Sequence, residues 1–104
     1  MTDLVLVLTT APEDLAETIA RALLDEQLAA CVNVHASMTS FYRWRGGVER
    51  DAERQLVIKT TRRLVPAVRE RLDALHSYEI PEFLVVPIED GSPAYMEWVK
   101  TSVR

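Results

Sequence analysis

The order in which strand-like and helix-like segments follow one another constrains this chain more than any single residue does. Leu4-Val5-Leu6-Val7-Leu8 is apolar at both parities, the pattern of a strand covered on both faces. Thr9-Thr10-Ala11-Pro12 breaks it. Pro12 opens a helix, with Thr10 as the expected cap and Glu13 and Asp14 in the first turn, where the helix dipole favours negative charge. Leu15, Ile19 and Leu23 recur every four residues as an apolar stripe, and the helix is expected to end near Gln27. Ala30, Val32, Val34 and Ala36 then alternate with Cys31, Asn33, His35 and Ser37, a strand with one apolar face. Strand character continues through Ser40-Phe41-Tyr42-Arg43-Trp44. Gly46-Gly47 can supply the positive φ angles of a hairpin turn, and the return strand is expected from Val48 to Thr61. Leu64, Val68, Leu72 and Leu75 mark a second helix, with Pro66 tolerable in its first turn. Residues 83–88 form a last strand, which Pro87 places at a sheet edge. Ser92-Pro93 caps a short terminal helix that carries Tyr95, Trp98 and Val99 on one side.

That order, β-α-β-β-α-β with a terminal helix, is the split βαβ arrangement of the ferredoxin-like α+β sandwich. At 104 residues the chain is read as one domain, 1–104. Right-handed crossovers put both long helices on one face of a four-stranded sheet. The other face lies bare and carries apolar residues from the first strand, which marks it as an interface between copies of the chain. The two central strands are too long for such a sheet to cover. Residues 41–51 are therefore expected to project as a two-stranded ribbon, which is marginal in water unless it rests on something else.

Composition removes several classes of function. There are 16 acidic against 12 basic residues, a net charge of -4, which argues against nucleic acid as the main partner. A single cysteine, Cys31, forbids an internal disulfide and fits a reducing, cytoplasmic setting. The apolar run at 4–8 is too short for a signal peptide or a membrane span. No phosphate loop, GxSxG or HExxH occurs, so an enzyme is not expected.

Four groups of residues remain as candidates for binding. Cys31, Asn33 and His35 share a strand face, as buried residues of a subunit contact or as metal ligands aided by another strand. Tyr42 and Trp44 share a face of the ribbon, walling a pocket or anchoring the ribbon to a neighbour. Lys59 interrupts an apolar strand and must be paired or face a cleft, binding an anion or meeting Glu79 or Glu82. His76-Ser77-Tyr78-Glu79-Ile80-Pro81-Glu82 is the densest polar cluster, either a loop tied down by Pro81 and carboxylates or a metal site on His76.

Six stretches together resemble the CutA family of divalent-cation tolerance proteins. They are Val7-Leu8-Thr9-Thr10-Ala11-Pro12, Leu28-Ala29-Ala30-Cys31-Val32-Asn33, Ser40-Phe41-Tyr42-Arg43-Trp44-Arg45-Gly46-Gly47, Ile58-Lys59-Thr60-Thr61, His76-Ser77-Tyr78-Glu79-Ile80-Pro81-Glu82 and Ser92-Pro93-Ala94-Tyr95. They span nearly the whole chain in the family's order. The resemblance implies a compact homotrimer, similar in architecture to the PII signalling proteins, and a link to copper and other divalent ions. It implies no required cofactor. Where some members have a cysteine and a second histidine, this chain has Thr9 and Leu75, so only His76 of that set remains, and a metal would be held by His76 with carboxylates or Cys31. The expected function is tolerance of divalent cations with weak copper binding. The alternative is a trimeric signalling or scaffold module. It would take a small molecule or a protein partner in an intersubunit cleft of Tyr42, Trp44, Lys59, Tyr78, Glu79 and Glu82.

Overall fold

A computed structural model describes residues 2–104 of the chain. Strand β1 spans Leu4–Ala11 and helix α1 spans Glu13–Asp25. Then come β2 (Cys31–Val34), β3 (Met38–Trp44) and β4 (Gly47–Thr61). A 3-10 turn at Arg62–Leu64 leads into α2 (Val65–Leu75), followed by β5 (Leu84–Pro87) and α3 (Pro93–Thr101). The sheet order is β2-β4-β1-β5 with every pairing antiparallel, and β3 extends the pairing of β4. This is the expected ferredoxin-like order with its terminal helix. The sheet has five strands rather than four, because the expected second strand is broken at 35–37.

The break is a bulge. Val34 stands opposite Leu56 and Met38 opposite Glu53, so three residues, 35–37, face only two, 54 and 55. One extra residue reverses which side of the sheet each later side chain occupies. Val32 and Val34 lie opposite Ile58 and Leu56 and pack on the helix side. Met38, Ser40, Tyr42 and Trp44 lie opposite Glu53, Asp51, Glu49 and Gly47 and so stand on the other side.

The helix side holds the core. Val5, Val7, Leu56 and Ile58 from the sheet meet Ile19, Leu23, Val68 and Leu72 from α1 and α2, all of them buried. Each such side chain contributes about 1.5–3 kcal/mol through burial. Thr10 is not the cap of α1. β1 continues to Ala11, which pairs with Arg54, and Pro12 stands at the cap position with its carbonyl accepting from the backbone N–H groups of Leu15 and Ala16. The α1 helix closes with Gln27 at φ 56, as expected near that residue. Ser92 does cap α3, accepting from the Tyr95 N–H at 3.3 Å.

The opposite face is open. Leu6, Leu8 and Val57 are half-buried there, and Leu84 and Val86 at the β5 edge are exposed. The face is not wholly bare, because α3 packs against β1 and β4 and buries Val99 together with Leu4. Tyr95 and Trp98 do not share the burial of Val99. They stack on each other with centroids 5.4 Å apart and remain exposed. The β3–β4 ribbon projects beyond the sheet and gives the molecule its 45 Å long axis. Its turn is Arg45-Gly46, with φ angles of 48° and 82°, and Gly47 already belongs to β4. The expected Gly46-Gly47 turn is therefore displaced by one residue, and Arg45 takes a left-handed conformation that Asn, Asp or Gly fills more readily.

Candidate functional site

The bulge aims Tyr42 and Trp44 toward the segment that follows α2, and polar bonds tie that segment down. At the end of α2, His76 Nε2 lies 2.6 Å from the Thr10 carbonyl oxygen, while its Nδ1 accepts the Tyr78 backbone N–H at 3.2 Å. A carbonyl only accepts and an amide N–H only donates, so the imidazole is the neutral form with its proton on Nε2. Tyr78 Oη donates to Glu53 Oε1 at 2.9 Å. Arg45 donates to Glu79 Oε2 at 2.8 Å. Gln55 Nε2 donates at 2.8 Å both to Glu82 Oε2 and to the Thr9 carbonyl. These bonds hold the segment against β1, β4 and the ribbon turn.

Between the segment and the ribbon lies a cleft of about 730 Å³, within the size range of small-molecule sites. Tyr42, Trp44 and Tyr78 supply its rings, and Glu53, Glu79 and Glu82 its carboxylates. Among the described residues no Lys, Arg or His lines it. Tyr42 Oη donates to Asp51 Oδ2 at 2.5 Å. That bond to a carboxylate pushes the Tyr42 phenol up to about 12, because ionisation would set a phenolate against an anion. Burial, and then the bond to Glu53, hold the Tyr78 phenol well above the ordinary tyrosine range. Both phenols are neutral hydrogen-bond donors across the physiological range.

Of the candidates from the sequence, Tyr42, Trp44, Tyr78, Glu79 and Glu82 come together here. Lys59 does not. It lies four residues beyond Gln55 on the same face of β4, roughly 13 Å along the strand. There it meets Tyr95, with Nζ 3.3 Å from the hydroxyl and 5.6 Å from the ring centroid, rather than Glu79 or Glu82. Cys31 lies opposite Lys59 on β2, a half-buried free thiol, and His76 is at the far end of β1 beside Thr10. The two metal candidates are thus held apart, and His76 has no free lone pair. Among the described residues no three His, Cys, Asp or Glu side chains gather as a set that could hold a metal ion. The residues of a single chain therefore do not fit a resident divalent cation.

Glu53 and Gln55 also line the cleft, and neither is among the candidates from the sequence. The signal was available: counting outward from an Arg45-Gly46 turn pairs Met38 with Glu53 and places both on the face of Tyr42 and Trp44.

The fold and the site together define a class: small α+β proteins with an open sheet face, a projecting ribbon and a ligand-sized cleft between ribbon and loop. Within that class the chain belongs to the family described as CutA1 divalent ion tolerance protein, whose family model matches residues 5–102. The divalent-cation tolerance protein CutA of Thermus thermophilus is 45% identical over 96 residues, covering 92% of this chain and 93% of that protein. Protein CutA of Mus musculus is 44% identical over 91 residues, and this chain spans only 51% of its length. The crystal structure of CutA from Xylella fastidiosa superposes with a TM-score of 0.95 at 41% identity, covering 99% of this chain and 100% of that one. Among the described residues no helix is long and apolar enough to cross a membrane.

Proposed function

We propose that the chain serves tolerance of divalent cations as a homotrimeric binding protein, not as an enzyme, with the ribbon cleft as its binding site. The observation that carries this reading is the unsupported apolar surface of the ribbon and of the open sheet face. Phe41 is 68% exposed, Val48 67% and Leu84 54%. A ribbon of this kind is unstable alone, and a second copy that covers it would also close the cleft from outside. The number three rests on the family resemblance, which implies a compact trimer. Sedimentation at micromolar concentration tests the reading, with a trimer expected and a folded monomer counting against it.

Copper(II) enters as a weakly held, externally supplied ion. It leads the divalent affinity order and is the ion most apt to bind at all. At His76 it would have to displace the Tyr78 N–H, which keeps the affinity low. A reducing, cytoplasmic setting belongs to the same proposal, supported by Cys31 as a free thiol.

A further inference from the structure

We infer that the inner half of the cleft takes a small organic cation, an ammonium or amidinium group carried on an apolar body. The inference rests on the reading of the cleft as a binding site and names the class of ligand.

The charge of the cleft is one-sided. Glu53, Glu79 and Glu82 line it, with no basic side chain among the lining residues. An anion would meet the unpaired charges of Glu53 and Glu82. A neutral ligand would take water from carboxylates and offer no charge in return. A bare metal ion would leave most of 730 Å³ to solvent. Tyr42, Trp44 and Tyr78 complete the walls, and an aromatic face attracts a cation through its quadrupole, most strongly where water is excluded.

The chain already holds one cation in this manner. The Arg45 guanidinium lies 5.3 Å from the centroid of the Trp44 ring and donates to Glu79 at 2.8 Å. An aromatic face and a carboxylate thus clasp an organic cation at the mouth, and one of the three carboxylates is neutralised there. Further in, Glu53 receives only the Tyr78 hydroxyl and Glu82 only the Gln55 amide. Neither has a cationic partner among the described residues. Neutral donors orient these two carboxylates and leave their charge for a ligand, beside the rings of Tyr42 and Tyr78.

The test uses three probes that share one ring and differ in charge: benzyltrimethylammonium, benzyl alcohol and benzoate. Each is titrated calorimetrically into the full chain at low salt. The ammonium should bind at least about tenfold tighter than the alcohol, with benzoate weakest. Glu53→Gln and Glu82→Gln keep a hydrogen-bond acceptor and remove the charge, so each should erase most of that preference. The same samples are sedimented. A monomer that still prefers the ammonium supports this inference and refutes the assembly reading. An intact trimer in which the alcohol or benzoate binds as tightly as the ammonium overturns the inference alone. Absence of saturable ammonium binding overturns it in either assembly state.

Discussion

The phenol of Tyr78 bonds to the carboxylate of Glu53 at 2.9 Å, across 25 residues of chain. This contact joins the loop after α2 to the inner end of the ribbon, and it forms one wall of the cleft. Tyr78 is held from two sides, because its backbone N–H also donates to His76 Nδ1. The ring packs against the imidazole with centroids 4.6 Å apart.

Tyr78→Phe removes that hydroxyl and leaves Glu53 without its donor. A loss of about 1 kcal/mol is expected in denaturant unfolding. His76→Ala removes two bonds together with the ring that supports Tyr78, so it should cost more, about 2 kcal/mol. Equal effects of the two substitutions would show that the imidazole is not part of the brace.

Alkaline pH should weaken the protein through its phenols. In the folded state Tyr42 and Tyr78 release their protons later than free tyrosine does, at about 12 for Tyr42. Between the unfolded value near 10 and the raised folded values, the folded chain binds more protons than the unfolded chain, so stability falls as pH rises. Below about pH 10 the contribution is fully present. Tyrosinate absorbance followed against pH in wild type, Tyr42→Phe and Tyr78→Phe should show the late-titrating signal diminish in each variant.

The ribbon turn distinguishes two neighbouring glycines. Gly46 has φ +82, and Gly46→Ala should lower stability by about 1 kcal/mol, although nothing lies within 4 Å of the added carbon. Gly47 lies in β4, and a methyl there meets only the Trp44 carbonyl at 3.8 Å. Gly47→Ala should be neutral or slightly stabilising. Thermal unfolding of the two variants under one condition decides between them.

Assembly should depend on the ribbon more than on the terminal helix. Phe41→Asp replaces an exposed ring on the back of the ribbon, opposite Arg50, and Trp44→Ala truncates a half-buried ring near its tip. Both should shift sedimentation toward monomer, since losing a central aromatic anchor can cost about 2 kcal/mol or more. Trp98 stacks on Tyr95 of its own helix, and Trp98→Ala should leave the trimer largely intact. Equal dissociation in all three variants, at matched fold content, would refute a ribbon-mediated contact.

Copper(II) titration between pH 5 and 8 should give weak binding that is lost in His76→Ala. Tight binding that survives His76→Ala would move attention to His35 and Cys31.

Most of the architecture is legible in the residues. Leu15, Ile19 and Leu23 in α1, and Val68 and Leu72 in α2, announce two helices that share one side of a sheet. Pro87 marks β5 as an edge strand, as the pairing bears out. The site was legible only in part. Tyr42 and Trp44 are visibly a pair, and the segment from His76 to Glu82 is visibly polar. Nothing in the local pattern shows that the two meet. Lys59 draws notice as a charge in an apolar strand, yet its partner is the Tyr95 phenol, a residue of α3 on which the pattern of β4 is silent.

The sequence by itself determined the order of strands and helices, because alternation, stripe and cap are local properties of the chain. Only the tertiary structure decided which way the ribbon faces. A single extra residue at 35–37 turns Tyr42 and Trp44 from the side of Val32 and Val34 to the open face. A bulge of one residue has no distinctive composition, since it arises from how two strands come into register and not from what either contains. The cleft follows from that turn. It requires residues from β1, β3, β4 and the loop after α2 to converge, and their separation along the chain hides the convergence until the sheet has formed.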